Sequence, residues 1–167
     1  IGLYQHGSDT WIVLADPYTL PRPDESPGIA AQVLSLVNAA RAHPQRCGTR
    51  AFAPTTPLRR SSILDRVARG HAIDMAEHHY LDHLDFAHHS PADRLRAAGY
   101  RESLVGENIA YGPNTAEDVV KGWLASPGHC ENLMTVRFTE MGIAYAQGQS
   151  ADRRALYWVQ LLAKPLP

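Results

Sequence analysis

The chain has 167 residues, of which 44% are hydrophobic and 20% are charged, and this composition is typical of one folded domain with a full hydrophobic core. Its formal net charge of -1 excludes a global electrostatic attraction to nucleic acid or to anionic membranes. No apolar run approaches the roughly 18 residues that a membrane-spanning helix requires. We therefore expect a globular domain with neither a nucleic-acid partner nor a transmembrane segment.

Residues 1–28 differ in amino-acid pattern from the rest of the chain. Residues 9–17 place β-branched and aromatic residues between Asp and Pro, which predicts a strand, and residues 21–28 hold three prolines and a glycine, which predicts a linker. The strand either packs on the sheet of the main domain, residues 29–167, or belongs to an upstream domain. Its similarity to residues 158–165 favours two strands of one sheet. Because the first residue is not Met, we expect that a signal peptide has been removed.

The spacing of apolar residues predicts five helices and three strands in the main domain. The helices are expected at residues 29–43, 61–79, 90–98, 115–125 and 126–134. The strands are expected at residues 106–112, 141–146 and 155–163, and a polar hairpin loop at 147–154 joins the last two. Residues 44–60 contain three prolines and a glycine and are expected to be irregular.

Three polar residues lie on these predicted helices without an obvious chemical role. Asn38 and Arg41 are interpreted as part of a solvated face of the first helix, with one capping interaction. His71 falls on the apolar stripe of the second helix, and a buried ring needs a hydrogen-bond partner. We therefore interpret His71 as a core histidine rather than a metal ligand.

A glutamate and two histidines from three separate segments are the candidate site residues. His83 lies in the loop after the second helix, and Glu107 lies in the extended stretch after Gly106. His129 falls in the first turn of the last helix, where the helix dipole favours the neutral imidazole that a metal requires. The set suits a divalent metal with an open position, but it lacks the one-helix spacing that would identify such a site. Ser126 beside His129 is interpreted as an N-cap rather than a nucleophile.

The two cysteines, Cys47 and Cys130, are too few for a cysteine-based zinc site. They either form a disulfide or are two buried thiols. We favour the disulfide, because Cys130 directly follows His129 and a cross-link would fix that part of the site. Such a bond closes a loop of about 80 residues, stabilises the fold by roughly 3–5 kcal/mol, and indicates folding in an oxidising compartment.

Taken together, the motifs resemble the bacterial form of the CAP superfamily, the SCP-like extracellular domains. The similarity extends from about Ala30 to Ala163, and several independent motifs in the same order make it specific. The motifs that carry it are Leu36–Arg41, Met75–Ala76, Tyr80–His83, Ser90–Arg94, Ala98–Tyr100, Gly106–Ala110, Trp123–His129, Glu131–Met134, Arg137–Ala144 and Tyr157–Gln160.

The resemblance implies an α+β fold, a three-layer α-β-α sandwich with a central antiparallel sheet, and a cleft lined by two histidines and two glutamates. By motif position these are His83, Glu107 and His129, with Asn108 beside them. Ser126 stands where family members that have the second glutamate carry it. The resemblance also implies that a divalent metal, most simply zinc, is held by the two histidines. It further implies that the loop leaving the first helix is tied to the short helix of His129.

Two functions from different classes follow from this pattern. The first is a secreted or periplasmic binding module that uses a divalent metal and contacts a peptide, a glycan or a lipid. The alternative is a metal-dependent hydrolase, similar to a peptidase, in which Glu107 is the general base. The absence of a second glutamate at Ser126 favours binding over catalysis. A third interpretation is a polar cluster with a purely structural role.

Overall fold

The computed structural model describes residues 2–13, 26–148 and 155–166. Within these ranges the strands are β1 (Gly2–His6), β2 (Asp9–Val13), β3 (Gln45–Cys47), β4 (Arg50–Phe52), β5 (Arg59–Arg60), β6 (Glu102–Tyr111), β7 (Glu140–Gln147) and β8 (Leu156–Pro165). The helices are α1 (Ser26–Arg41), α2 (Ser62–His78), α3 (Pro91–Ala97), α4 (Ala116–Ala125) and α5 (Pro127–Met134). The predicted linker before residue 26 and most of the predicted loop at 147–154 lie outside the described residues.

A four-stranded sheet in the order β5-β7-β8-β6 forms the middle layer. Strand β8 pairs antiparallel with both β6 and β7, whereas the two-residue strand β5 pairs parallel with β7. The sheet is therefore antiparallel as expected, except at its β5 edge. Strand β6 forms the opposite edge and begins four residues earlier than the glycine-bracketed stretch that predicted it.

The side chains of successive strand residues enter two separate hydrophobic clusters, because they point to opposite faces of the sheet. Trp158 packs in one cluster with residues of α1, α4 and α5, whereas Val159 packs in the other with residues of α2 and α3. Both side chains are fully buried. This arrangement confirms the predicted three-layer α-β-α sandwich and the α+β fold class.

Helix α2 approaches β7 most closely at Gly142. A Cβ atom at this position would lie 2.3 Å from the backbone nitrogen of Asp65 and 2.3 Å from the carbonyl carbon of Leu64. The side chain of Asp65 also accepts a hydrogen bond from the backbone nitrogen of Ile143, at 2.9 Å. Glycine at this position therefore sets the distance between the helix and the sheet.

The interpretation of Asn38 and Arg41 as part of a solvated face is wrong. Asn38 exchanges two hydrogen bonds with the backbone of Leu58, at 3.0 and 2.8 Å. Arg41 is fully buried, and its guanidinium donates to the carbonyl oxygens of Thr56, Leu133, Thr135 and Phe138. Burial lowers the pKa of Arg41 to about 10, so the group stays charged at neutral pH. The Arg41 side chain therefore ties the C-terminal end of α1 to the segment before β5 and to the end of α5 with the residues that follow it.

The N-terminal strand forms a hairpin rather than joining the main sheet. Strands β1 and β2 pair antiparallel with each other, and the described part of the four-stranded sheet includes neither of them. Their cross-strand pair Tyr4 and Trp11 is 61% and 62% exposed. The similarity between residues 11–17 and 158–165 therefore does not reflect two strands of one sheet.

Two local predictions also need correction. Helix α1 begins at Ser26, so Pro27 and Gly28 belong to its first turn rather than to a linker. A proline is tolerated there because the backbone N–H groups of a first turn have no acceptor within the helix, so the missing N–H of proline costs no hydrogen bond. Residues 44–60 are not wholly irregular, because β3 and β4 form a short hairpin and β5 joins the sheet.

We predict that Gly142→Ala lowers the free energy of unfolding by about 2–3 kcal/mol, because the added methyl group collides with helix backbone that cannot move independently. Gly122→Ala in α4 is the matched control, since nothing lies within 4 Å of a Cβ there and alanine favours a helix by up to about 1 kcal/mol. Urea unfolding monitored by circular dichroism measures both. Equal stability of the two variants would contradict the close packing at Gly142.

Candidate functional site at the β6 edge

The candidate site is built around the edge strand β6, which contacts α3 on one side and α5 on the other. Glu107 and Asn108 are adjacent in β6, so their side chains point to opposite faces. Glu107 contacts Arg94 of α3 and the loop before it, whereas Asn108 contacts α5. We call His83, Glu107, Ser126 and His129 the histidine site.

Glu107 is held from two directions. The Nδ1–H of His83 donates to its Oε1 atom at 2.8 Å, and Arg94 Nη2 donates to its Oε2 atom at 2.6 Å. Because the Glu107 side chain is only 2% exposed, both of its oxygens need these partners to offset the loss of water. A carboxylate only accepts hydrogen bonds, so in the neutral form of His83 the proton lies on Nδ1 and the lone pair lies on Nε2.

Arg94 also holds the backbone of the loop that carries His83. Its Nη1 atom donates to the carbonyl oxygens of His83, at 3.0 Å, and His89, at 2.8 Å. Helix α3, which carries this arginine, begins with a capping box between Ser90 and Asp93. Arg94 therefore fixes His83 twice, through its backbone and through Glu107.

Ser126 and His129 form the second pair of the site. Ser126 occupies the N-cap position of α5, but its side chain makes no capping hydrogen bond. Its Oγ atom lies 2.9 Å from Nδ1 of His129 instead. Ser126 is therefore the N-cap residue as predicted, but its hydroxyl group contacts the imidazole one turn later instead of capping the helix. Like His83, His129 is bound at Nδ1 and leaves Nε2 for another partner.

Helix α5, which carries His129, is anchored to the sheet by a buried amide network. Asn108 donates to Gln160 at 2.9 Å and to the carbonyl oxygen of His129 at 3.3 Å. Asn132 donates to Asn108 at 2.9 Å and to the carbonyl oxygen of Glu107 at 3.2 Å. Asn108 is fully buried, so the expectation that it lines an open cleft is wrong; it positions α5 from within the core.

The disulfide is confirmed between Cys47 and Cys130, whose Cα atoms lie 5.4 Å apart. Both residues are buried, and they pack with Met134 in a small cluster of their own. The bond ties the β3–β4 hairpin, which follows α1, to the first half of α5. The residue next to His129 is thus fixed by a covalent bond.

The pKa values of the two histidines shift in opposite directions. The hydrogen bond to Glu107 raises the pKa of His83. Burial lowers the pKa of His129, and the positive charge of His83 lowers it further. In the part of the chain that the structure describes, no three side chains of His, Cys, Asp or Glu are grouped to hold a metal ion. The donors available to a metal here are therefore the Nε2 atoms of two imidazoles.

The sequence pattern identified His83, Glu107 and His129, but it missed the role of Arg94. This arginine belonged to a recognised motif, yet nothing in its spacing indicated a contact with Glu107, which lies 13 residues away. His71 is a buried core histidine as predicted, and its Nε2 atom lies 2.9 Å from the carbonyl oxygen of Asp82.

The fold and the site define an α-β-α sandwich domain with histidine and glutamate side chains at the edge of its sheet. The chain belongs to the CAP family, the cysteine-rich secretory protein family, whose model matches residues 34–162. It is 33% identical over 132 residues to the uncharacterized protein YkwD of Bacillus subtilis (strain 168), and the match covers 79% of this chain and 48% of that protein.

Solved structures show the same fold. An extracellular protein containing an SCP domain from Bacillus anthracis str. Ames matches with a TM-score of 0.69 and 26% identity, over 90% of this chain and 45% of that one. An outer surface protein from Borrelia burgdorferi matches with a TM-score of 0.62 and 22% identity, over 81% of this chain and 89% of that one. The chain thus spans about half the length of its two Bacillus relatives.

We predict that replacing Arg94 by glutamine lowers the free energy of unfolding by about 3 kcal/mol or more. The change leaves Glu107 buried without its cation and removes the hydrogen bonds from Arg94 to two backbone carbonyl oxygens. Arg66→Gln on the exposed side of α2 is the control and should change stability by less than about 0.5 kcal/mol. Urea unfolding of both variants checks this, and a loss for Arg94→Gln no larger than the control's would contradict it.

The stability of the fold should also depend on pH through His83. Because the pKa of His83 is raised in the folded state, its contribution is fully present below its unfolded pKa and is lost as pH rises through the folded value. The His83 side chain is 53% exposed, so this contribution is at most about 1 kcal/mol. Unfolding of wild type and His83→Gln in EDTA should differ more at pH 5.5 than at pH 8.5. A difference that does not vary with pH would exclude this charge coupling.

Proposed function

We propose that this domain is an extracellular binding module in which His83 and His129 hold a divalent metal ion, with zinc as the best fit. The observation that carries the proposal is the state of the two rings: each has its Nδ1 atom engaged by an oxygen of the protein. A histidine ligand that binds metal through Nε2 ordinarily has its other ring nitrogen oriented in this way. Imidazole nitrogens favour zinc over magnesium or calcium, which prefer oxygen ligands.

Two histidines leave coordination positions open on a four-coordinate zinc ion. These positions are available to water or to an oxygen of a bound peptide or glycan, so a metal held here would link such a ligand to the domain. The loop around His83 also exposes three large apolar side chains, Leu81, Leu84 and Phe86. They offer contacts to an apolar part of the same ligand, as in a peptide side chain or a lipid.

Binding is favoured over hydrolysis by the state of Glu107. A general base must reach the water that it activates, but both oxygens of Glu107 are occupied and the side chain is 2% exposed. Ser126 supplies a hydroxyl group where a second carboxylate would stand. We therefore assign Glu107 the role of orienting His83 and assign no catalytic role to the site.

Two observations support an extracellular location. The disulfide is typical of proteins that fold in an oxidising compartment. Two of the similar solved structures are described as an extracellular protein and an outer surface protein. Among the described helices, none combines the length and the apolar character needed to cross a membrane.

The test is zinc binding to metal-free protein by isothermal titration calorimetry at about pH 7.5, where neutral imidazole predominates. Wild type should bind one zinc ion, and His83→Ala and His129→Ala should each weaken binding at least about 10-fold, since each removes one of two protein ligands. His43→Ala is the control, because His43 is exposed and lies just after α1, outside the histidine site. Circular dichroism verifies that all three variants are folded. Zinc affinity that is unchanged in both site variants would reject the metal at this site.

A further inference from the structure

The two halves of α5 differ in how they are held. The second half is anchored in the core through the buried side chains of Leu133 and Met134. The first turn carries His129, and the two residues before this histidine, Pro127 and Gly128, are exposed. An exposed turn that includes a glycine has little packing of its own to fix its backbone. The direction of the His129 ring therefore depends on contacts that reach this turn from other segments.

From the sheet, a long hydrogen bond reaches the first turn. Asn108 donates to the carbonyl oxygen of His129 at 3.3 Å, which is beyond the ordinary range of about 2.7–3.2 Å. The shorter contacts of the amide network, from Asn132 to Asn108 and to the carbonyl oxygen of Glu107, lie nearly one turn later in α5. The sheet therefore restrains the end of α5 more firmly than its beginning.

The β3–β4 hairpin holds the beginning of α5 more closely. The disulfide joins Cys47, the last residue of β3, to Cys130, which directly follows His129. The tip of the hairpin packs against Pro127, since a Cβ atom at Gly48 would lie 3.2 Å from both the Cβ and the Cγ atoms of that proline. The hairpin therefore contacts α5 on both sides of His129 along the chain.

Arg50, the first residue of β4, extends this contact along the helix. Its guanidinium forms an ion pair with Glu131 and lies 5.0 Å from the centroid of the Phe52 ring. Phe52 in turn packs against the buried cluster that contains the disulfide and Met134. The hairpin thus meets α5 at residues 127, 130 and 131, which share one face of the helix because they are three and four residues apart.

His129 lies on roughly the opposite side of the helix from those three residues, because successive side chains are rotated by about 100°. Contacts on the far face fix the rotation of the helix about its axis, and with it the direction of the imidazole, without covering the ring. Without them, a metal ion would have to order this turn when it binds, and the cost of ordering lowers affinity.

We infer that the β3–β4 hairpin positions His129 for metal binding and that closure of the bond between Cys47 and Cys130 completes the histidine site. The inference rests on the proposed function of that site. His83 is oriented by its own carboxylate partner, whereas His129 takes its position from the hairpin. Closure passes two electrons and two protons from the thiols to an oxidant of the disulfide class, which is reduced to two thiols. The domain thus gains its full affinity for metal after folding in an oxidising compartment.

The first test is calorimetric titration with zinc chloride of the double variant Cys47→Ser, Cys130→Ser. Serine replaces both residues because a free thiolate would itself bind zinc. We expect zinc affinity to fall about 10-fold or more. Gly142→Ala is the control, since it is also expected to destabilise the fold but lies away from α5, and it should keep its affinity within about 2-fold. Equal affinity of the folded double variant and wild type would overturn the inference.

A second pair of variants keeps the disulfide and so does not depend on the double variant folding. Arg50→Glu opposes Glu131 with a like charge, whereas Arg46→Glu makes the same charge change on the same hairpin at a residue that bonds only to Thr49 nearby. Arg50→Glu should bind zinc about 3-fold more weakly than Arg46→Glu, as expected for an exposed pair. Equal affinities would reject the positioning role of the hairpin.

Hydrogen exchange in EDTA tests the positioning without any metal. The amide of residue 130 donates to the carbonyl oxygen of Ser126 at 2.9 Å and reports on the first turn of α5. In the double variant it should exchange about 10-fold or more faster than in Gly142→Ala. Equal exchange in the two proteins would overturn the inference. Faster exchange, together with a wild type that binds no zinc, would reject the proposed function but keep the hairpin as the element that positions His129.

Discussion

The buried carboxylate of Glu107 is the group on which the arrangement of the site depends. An edge strand presents it to the interior, where an unpaired charge would be too costly to keep. Arg94 compensates that charge and uses its remaining donors on the backbone of the loop before α3. A single ion pair therefore fixes the relative positions of β6, α3 and the loop of His83. The orientation of His83 follows from this pair and not from its own packing, because its side chain is half exposed.

The two halves of the site differ in charge although they share one geometry. His83 has a carboxylate at Nδ1, whereas His129 has only the hydroxyl group of Ser126. A hydroxyl group can orient a neutral ring but adds no negative charge, so nothing opposes the effect of burial on the pKa of His129. At the proposed metal site, protons would therefore compete with the ion mainly at His83, whose pKa is raised. In a site with two glutamates this competition would be shared between both rings. With serine at position 126, His129 would be the ring that is neutral at the lower pH.

Patterns along the chain predicted the elements well, because helices and strands are encoded locally. The helices, the strands and the segments of His83, Glu107 and His129 followed from periodicity and motifs, whereas the three-layer sandwich followed from the resemblance to the CAP superfamily. What failed depends on contacts between distant residues. Arg41 looked like a surface residue because its four carbonyl partners lie up to 97 residues away and leave no trace in its own helix. Ser126 is at the N-cap position as predicted, and only the rotamer of its side chain separates capping from its contact with His129. The β1–β2 hairpin was missed because Gly2–His6 has no apolar periodicity of its own.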